Sequence, residues 1–138
     1  MGEEPTSTAE MVAEARREVR GLSIEEFERV RQSGEALIID VRDVRERWNS
    51  GTVPGARHAP RGMLEFWADP DSEYHKDYFD RQTPVVLYCA GGLRSALAAQ
   101  TLQRLGYTDV SDLEVGYEQW KEAGGAWEEV PVPDSVRR

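Results

Sequence analysis

At 138 residues the chain suits one domain, long enough to bury roughly two thirds of its unfolded surface without disulfide or metal staples. The composition, 39% hydrophobic and 9% aromatic, excludes a wholly disordered chain, and a net charge of −9 argues against a general nucleic-acid surface. No apolar run approaches the ~20 residues of a membrane span, the start Met1-Gly2-Glu3-Glu4-Pro5 has no signal-peptide character, and one cysteine beside two histidines allows neither an internal disulfide nor a zinc-type cluster. The expectation is a cytoplasmic protein with no membrane or nucleic-acid partner, no metal and no cofactor, existing as a monomer or weak homodimer. The first six residues fit the permissive myristoylation template, a match we set down to chance.

Taken in order, Ser7-Thr8-Ala9-Glu10 is a capping box, and Met11, Val12, Ala15 and Val19 follow at helical spacing, so a helix is expected over residues 7–20. Ser23-Ile24-Glu25-Glu26 repeats the signal for a second helix that ends before Gly34. Leu37-Ile38-Ile39 is apolar throughout and reads as a strand that runs out at Asp40, Val41 and Arg42. Asp43-Val44-Arg45-Glu46 caps a short helix to Ser50, Val53-Pro54-Gly55-Ala56 is a turn, and Arg57-His58-Ala59 is a short extended piece. Met63 to Trp67 reads as one or two helical turns, and Asp69-Pro70-Asp71-Ser72 can cap a further short helix through Tyr78 and Phe79.

Pro84 to Tyr88 is branched and uninterrupted, as a strand buried on both faces is, and Ala96, Leu97, Leu102 and Leu105 then recur at helical spacing up to Gly106. Thr108 to Leu113 is a brief strand, Gly116 to Ala123 a last helix, and Trp127 to Val132 a tail expected to fold back on the body. Alternating strands and helices imply an α/β fold with a largely parallel sheet covered on both faces. Arg42, Arg45, Arg47, Arg57, Arg61 and Arg94 fall near element ends, where they could form a small basic mouth on an acidic body.

The only cysteine lies between the central strand and its helix, at the strand end where open α/β sheets bind ligands. A thiolate is the attacking form of cysteine, and a helix N-terminus with a nearby Arg favours it. Cys89-Ala90-Gly91-Gly92-Leu93-Arg94-Ser95 offers both. Its successive amides can form an anion nest around a ligand that the two glycines allow to come close. Arg94 adds a permanent positive fork, and the Ser95 hydroxyl can cap the helix or donate to the sulfur. No base is obvious, which suits attack on a sulfur or phosphorus centre better than acyl transfer. His58 could reach the same sheet end, but a packing or hydrogen-bonding role is expected of it.

Ile39-Asp40-Val41-Arg42, Glu46, Gly51-Thr52-Val53-Pro54-Gly55-Ala56 and Pro60, followed by Cys89 to Ser95, together resemble the two signature blocks of single-domain rhodaneses. The resemblance runs from Leu22 to Trp127 and suggests a rhodanese-like domain over residues 21–132, behind an N-terminal helical extension (1–20) and ahead of a short tail (133–138). It implies a central, mostly parallel five-stranded sheet and a sulfurtransferase in which Cys89 takes the outer sulfur of thiosulfate or a similar anionic donor. The resulting persulfide would be held by the loop amides and handed to a thiophilic acceptor, in the cell a thiol or dithiol protein. By the same resemblance Arg94 binds the donor, while Asp40 and Arg42 support the loop from the neighbouring strand end. Arg61, following Pro60, is placed at the entrance by its position alone.

One departure stands out, since the family's usual glycine pair before the last helix is reduced here to Gly116, preceded by Val115. Two rivals are a sulfur-carrying or regulatory binding module with little turnover and a phosphatase or arsenate reductase. The latter resemble C-x-x-x-x-x-R, whereas only four residues separate Cys89 from Arg94.

Overall fold

The computed structural model describes residues 4–136, so the myristoylation-like start and the extreme end of the tail lie partly outside the described residues. Twelve elements follow one another: α1 (Thr8–Glu18), β1 (Arg20–Leu22), α2 (Ile24–Ser33), β2 (Leu37–Asp40), α3 (Val44–Ser50), β3 (Arg57–His58), a 3-10 turn (Arg61–Met63), α4 (Leu64–Ala68), β4 (Val85–Tyr88), α5 (Leu93–Arg104), β5 (Val110–Leu113) and α6 (Tyr117–Glu122). The five strands form one all-parallel sheet in the order β1-β5-β4-β2-β3. The α/β expectation and the five-stranded sheet are both met.

Local chemistry accounts for the helix starts. Ser23 and Glu26 exchange hydrogen bonds across the first turn of α2 (3.1 and 2.9 Å), and Asp43 with Glu46 does the same for α3. The Ser7 hydroxyl accepts from the Glu10 amide at 3.1 Å, but the Glu10 side chain does not return the bond to the Ser7 backbone.

Strand alternation then divides the core in two. Val85 and Leu87 of β4 face α4 and α5 together with Ile39, Leu64, Phe79, Ala98 and Leu102, and Cys89 continues that face. Val86 and Tyr88 face the other way, onto Phe27, Tyr117 and Trp120 of α2 and α6. Phe27 lies edge-on to Trp120, with ring centroids 5.0 Å apart, and seals that second core.

Two expectations are corrected. The first helix ends at Glu18, not Arg20, and residues 20–22 are a strand that pairs with Ser111–Leu113. Residues 71–79 form turns in place of a short helix. Lys76 donates its amide and His75 a ring nitrogen to the Trp67 carbonyl (2.9 and 3.0 Å), which folds the segment back on α4 and leaves Phe79 buried. The tail does fold back, with Thr52 and Glu128 exchanging backbone bonds of 2.9 Å in both directions. Among the described residues no helix is long and apolar enough to cross a membrane.

Candidate active site

Cys89 follows β4 directly, at the carboxyl end of the sheet, and is 1% exposed. Its Sγ receives two backbone amides, Gly92 N–H at 3.1 Å and Ser95 N–H at 3.3 Å, because the loop curls into α5 through Gly92, which has φ 94°. A side chain at Gly92 would collide with the Glu114 carbonyl, so only glycine fits there. With α5 twelve residues long and its first turn beginning at Leu93, the sulfur sits where helix amides and the helix dipole favour negative charge.

The Ser95 hydroxyl neither caps the helix nor donates to the sulfur. It gives its proton to Asp112 Oδ2 at 2.6 Å, which leaves its lone pairs facing Cys89 Sγ at 3.6 Å to accept the thiol hydrogen. Asp112, fully buried in β5, is held in turn by Arg16 of α1. A line of hydrogen bonds therefore runs from the thiol to a carboxylate. Neither Asp112 nor Arg16 was among the residues expected at the site. The available signal was an aspartate inside the strand Val110–Leu113, which needs a cationic partner when all four strand residues are buried.

Arg94 lies across the mouth of the loop and is bonded to Glu46 of α3 through both nitrogens, at 2.7 and 3.0 Å. An anion entering the loop must share this guanidinium with Glu46 or displace it. The Arg94 hydrogen bonds, outweighing the burial that opposes them, hold the Glu46 carboxyl below the usual carboxylate range. The folded protein therefore takes up this proton at lower pH than the unfolded chain. The pair's stabilisation is complete above the unfolded value of ~4.3 and is lost as pH falls through the depressed folded value. Glu46→Gln keeps the capping bond and removes the charge. Its Tm deficit against wild type is expected to be full at about pH 6 and to close as pH drops below ~4, measured by thermal unfolding across pH.

Asp40 and Arg42 lie one strand away, both buried. Asp40 Oδ1 accepts the Arg42 amide and Nε, each at 3.0 Å, and Oδ2 accepts Arg42 Nη2 at 2.8 Å and the Tyr88 hydroxyl at 3.0 Å. Arg47 Nε is 3.3 Å from Oδ2 but not aligned as a hydrogen bond, so charge alone ties it there. Arg42 also donates to the Ser50 hydroxyl and the Gly51 carbonyl, and its guanidinium centre lies 4.3 Å from the Tyr117 ring centroid. The cluster fixes α3, which carries Glu46, against β4. Tyr88 is pushed up from its ordinary pKa, by burial first and then by Asp40.

His58 Nε2 donates to the Arg42 carbonyl at 2.6 Å, a structural bond. Arg61 pairs with Glu65 at 2.8 Å and reaches the Thr101 hydroxyl at 3.1 Å, so its side chain runs along α4 and α5. With Arg42 and Arg47 sharing Asp40, Arg94 on Glu46 and Arg61 on Glu65, four of the six arginines of the anticipated basic mouth are committed to carboxylates.

Val115 takes no positive φ, and Gly116 alone carries the turn with φ 88°. Behind it the first amides of α6 collect the loop's carbonyls, Tyr117 N–H to Cys89 O at 2.9 Å and Glu118 N–H to Ala90 O at 3.3 Å. The far wall of the loop is thus built without the second glycine.

Residues 23–123 match the rhodanese-like domain family. The chain belongs to that family. A protein of Rhodopseudomonas palustris, described as of unknown function and a possible tyrosine phosphatase, superposes with TM-score 0.86 at 40% identity, covering 93% of this chain and 99% of that one. The human single-domain sulfurtransferase superposes with TM-score 0.65 at 28% identity, covering 75% of this chain and 96% of its own. The uncharacterised Bacillus subtilis protein YqhL is 35% identical over 85 residues, 62% of this chain and 60% of its own. The chain spans between a quarter and three fifths of the length of the first curated relatives it matches. The rhodanese-like match begins after α1, so the helix that supplies Arg16 lies outside it.

Proposed function

We propose that this rhodanese-like domain is a sulfurtransferase that carries a sulfane sulfur on Cys89. The observation that carries the reading is the pair of amides, Gly92 and Ser95, aimed at Sγ at the head of α5. They stabilise a thiolate and then the added sulfur without needing a base to shuttle protons through the reaction. The Cys89 thiolate attacks the outer sulfur of thiosulfate. A new S–S bond forms, the donor's S–S bond breaks, and sulfite leaves with the electron pair. An acceptor nucleophile, cyanide in an assay or a protein thiol in the cell, then attacks the outer sulfur of the persulfide and returns Cys89 as thiolate. The likeness to the human sulfurtransferase supports this assignment.

Phosphate-monoester hydrolysis is the second reading, favoured by the description of the Rhodopseudomonas palustris protein. Against it stands the four-residue spacing between Cys89 and Arg94, one residue shorter than the C-x-x-x-x-x-R loops that encircle a phosphate. Thiocyanate release from thiosulfate and cyanide is expected for the wild type and lost in Cys89→Ala. Turnover of p-nitrophenyl phosphate that disappears in Cys89→Ser, without thiocyanate formation, would establish the phosphatase instead.

A further inference from the structure

Each of the two residues whose amides face the sulfur is tied to the same side chain of the N-terminal helix. Arg16 Nη2 donates to the Gly92 carbonyl at 2.7 Å, the other side of the residue whose amide reaches Sγ. Through Nη1 and Nη2 it also holds both oxygens of Asp112, at 2.6 and 2.9 Å, and Asp112 takes the Ser95 hydroxyl. Two routes, one through a backbone carbonyl and one through a buried carboxylate, thus run from Arg16 to the sulfur cradle.

We propose that Arg16 is a positioning residue for chemistry at Cys89: it fixes the Gly92 and Ser95 amides on the sulfur and balances the buried Asp112 anion that would otherwise repel a thiolate. This builds on the sulfur-transfer reading. Burial works against the Arg16 charge, but the hydrogen bonds and charge of Asp112, with Glu114 and Cys89 adding to them, raise its pKa above the ordinary guanidinium value, so it stays a cation. The charged groups around Cys89 are Arg16 from α1, Arg94 from α5 with its partner Glu46 from α3, Asp112 from β5, Glu114 after it, and Asp40 at the end of β2. Arg16 and Asp112 are the pair bonded directly to the residues that cradle the sulfur. Lysine could replace the charge but not three contacts made by one planar fork.

The test is the rate of Cys89 alkylation by iodoacetamide across pH, which reads the thiolate and does not depend on sulfur transfer. Arg16→Gln leaves Asp112 uncompensated, and the alkylation midpoint is expected to move up by about one pH unit, a roughly tenfold slower reaction at pH values below both midpoints. Asp112→Asn removes the anion and keeps the cation, so its midpoint moves down. The double variant Arg16→Gln/Asp112→Asn returns most of the way to wild type, a recovery that mere structural damage would not produce. Arg16→Lys keeps the midpoint near wild type but lowers thiocyanate turnover severalfold, with KM for thiosulfate less affected than kcat. Circular dichroism and Tm report folding of each variant, and if Arg16→Gln is unfolded the opposite sign for Asp112→Asn still decides. An Asp112→Asn midpoint that stays or rises, or an Arg16→Gln profile superimposable on wild type, would overturn the proposal. A wild type with Arg16-dependent alkylation but no sulfur uptake would refute sulfur transfer and leave Arg16 in its role.

Discussion

Asp40→Ala is expected to lower stability by about 3–5 kcal/mol, the range for removing one partner of a buried ion pair. Asp40 is 0% and Arg42 1% exposed, so the guanidinium left behind cannot turn to water. The same carboxylate is the nearest counter-charge of Arg47 and the acceptor for the Tyr88 hydroxyl. Tyr88 Oη is in turn 2.7 Å from the Thr52 hydroxyl and accepts the Val53 amide at 3.1 Å, so the loss spreads into the turn before β3. For a domain of this size such a loss should lower Tm by on the order of 10 °C. Asp40→Asn, which can still accept hydrogen bonds but carries no charge, is expected to fall between that variant and wild type. Thermal unfolding of the three proteins side by side is the check, and an Asp40→Ala Tm within about 2 °C of wild type would mean that the cluster contributes little.

Gly116→Ala should cost about 2–4 kcal/mol and, unlike the Asp40 substitution, act directly on the site. Part of the cost is the backbone, since φ 88° strains any residue with a β-carbon. The remainder is steric, because that carbon would overlap the Ala90 carbonyl and come within 2.6 Å of the Gly91 Cα. The loop can only relieve this by moving away from α6, which pulls the Gly92 amide off Sγ. Cys89 alkylation and sulfur uptake are both expected to slow at least tenfold, a barrier change of ~1.4 kcal/mol. Gly55→Ala separates the two effects: Gly55 also has positive φ, at 82°, but its β-carbon meets nothing within 4 Å. It should lose stability from the backbone term alone and leave Cys89 reactivity unchanged.

Much of this fold is legible in the chain because the decisive signals are local. The uninterrupted apolar run before Cys89, the helical spacing after it and the capping pairs at Ser23 and Asp43 each act within a few residues, and each appears where expected. β1 is not legible in this way. Of Arg20, Gly21 and Leu22 only Leu22 is fully buried, and what makes them a strand is Ser111–Leu113, about ninety residues on. Asp71 to Phe79 has the opposite defect: a good cap signal in a segment whose Lys76 amide and His75 ring are drawn back to the Trp67 carbonyl, so that turns form in place of a helix.

The site divides along the same line. The loop residues announce themselves by type and order, whereas their partners come from elsewhere in the chain. Glu46 looks like a helix-capping residue, and it is one, but it also holds Arg94. Arg16 looks like one more charge on a polar helix beside Arg17, and its task depends on an aspartate 96 residues away. Arg94, expected as a free cation for the donor, reaches the loop mouth already paired. Charged pairs formed across the fold leave no periodicity for a sequence to display.

The central claim is that Cys89 carries sulfur, and intact mass of the full chain after incubation with thiosulfate tests it most directly. The account predicts a wild-type increment of one sulfur atom that cyanide removes and that Cys89→Ala never acquires. A wild type that gains no sulfur from thiosulfate, mercaptopyruvate or a protein persulfide, or an increment that survives in Cys89→Ala, would contradict it.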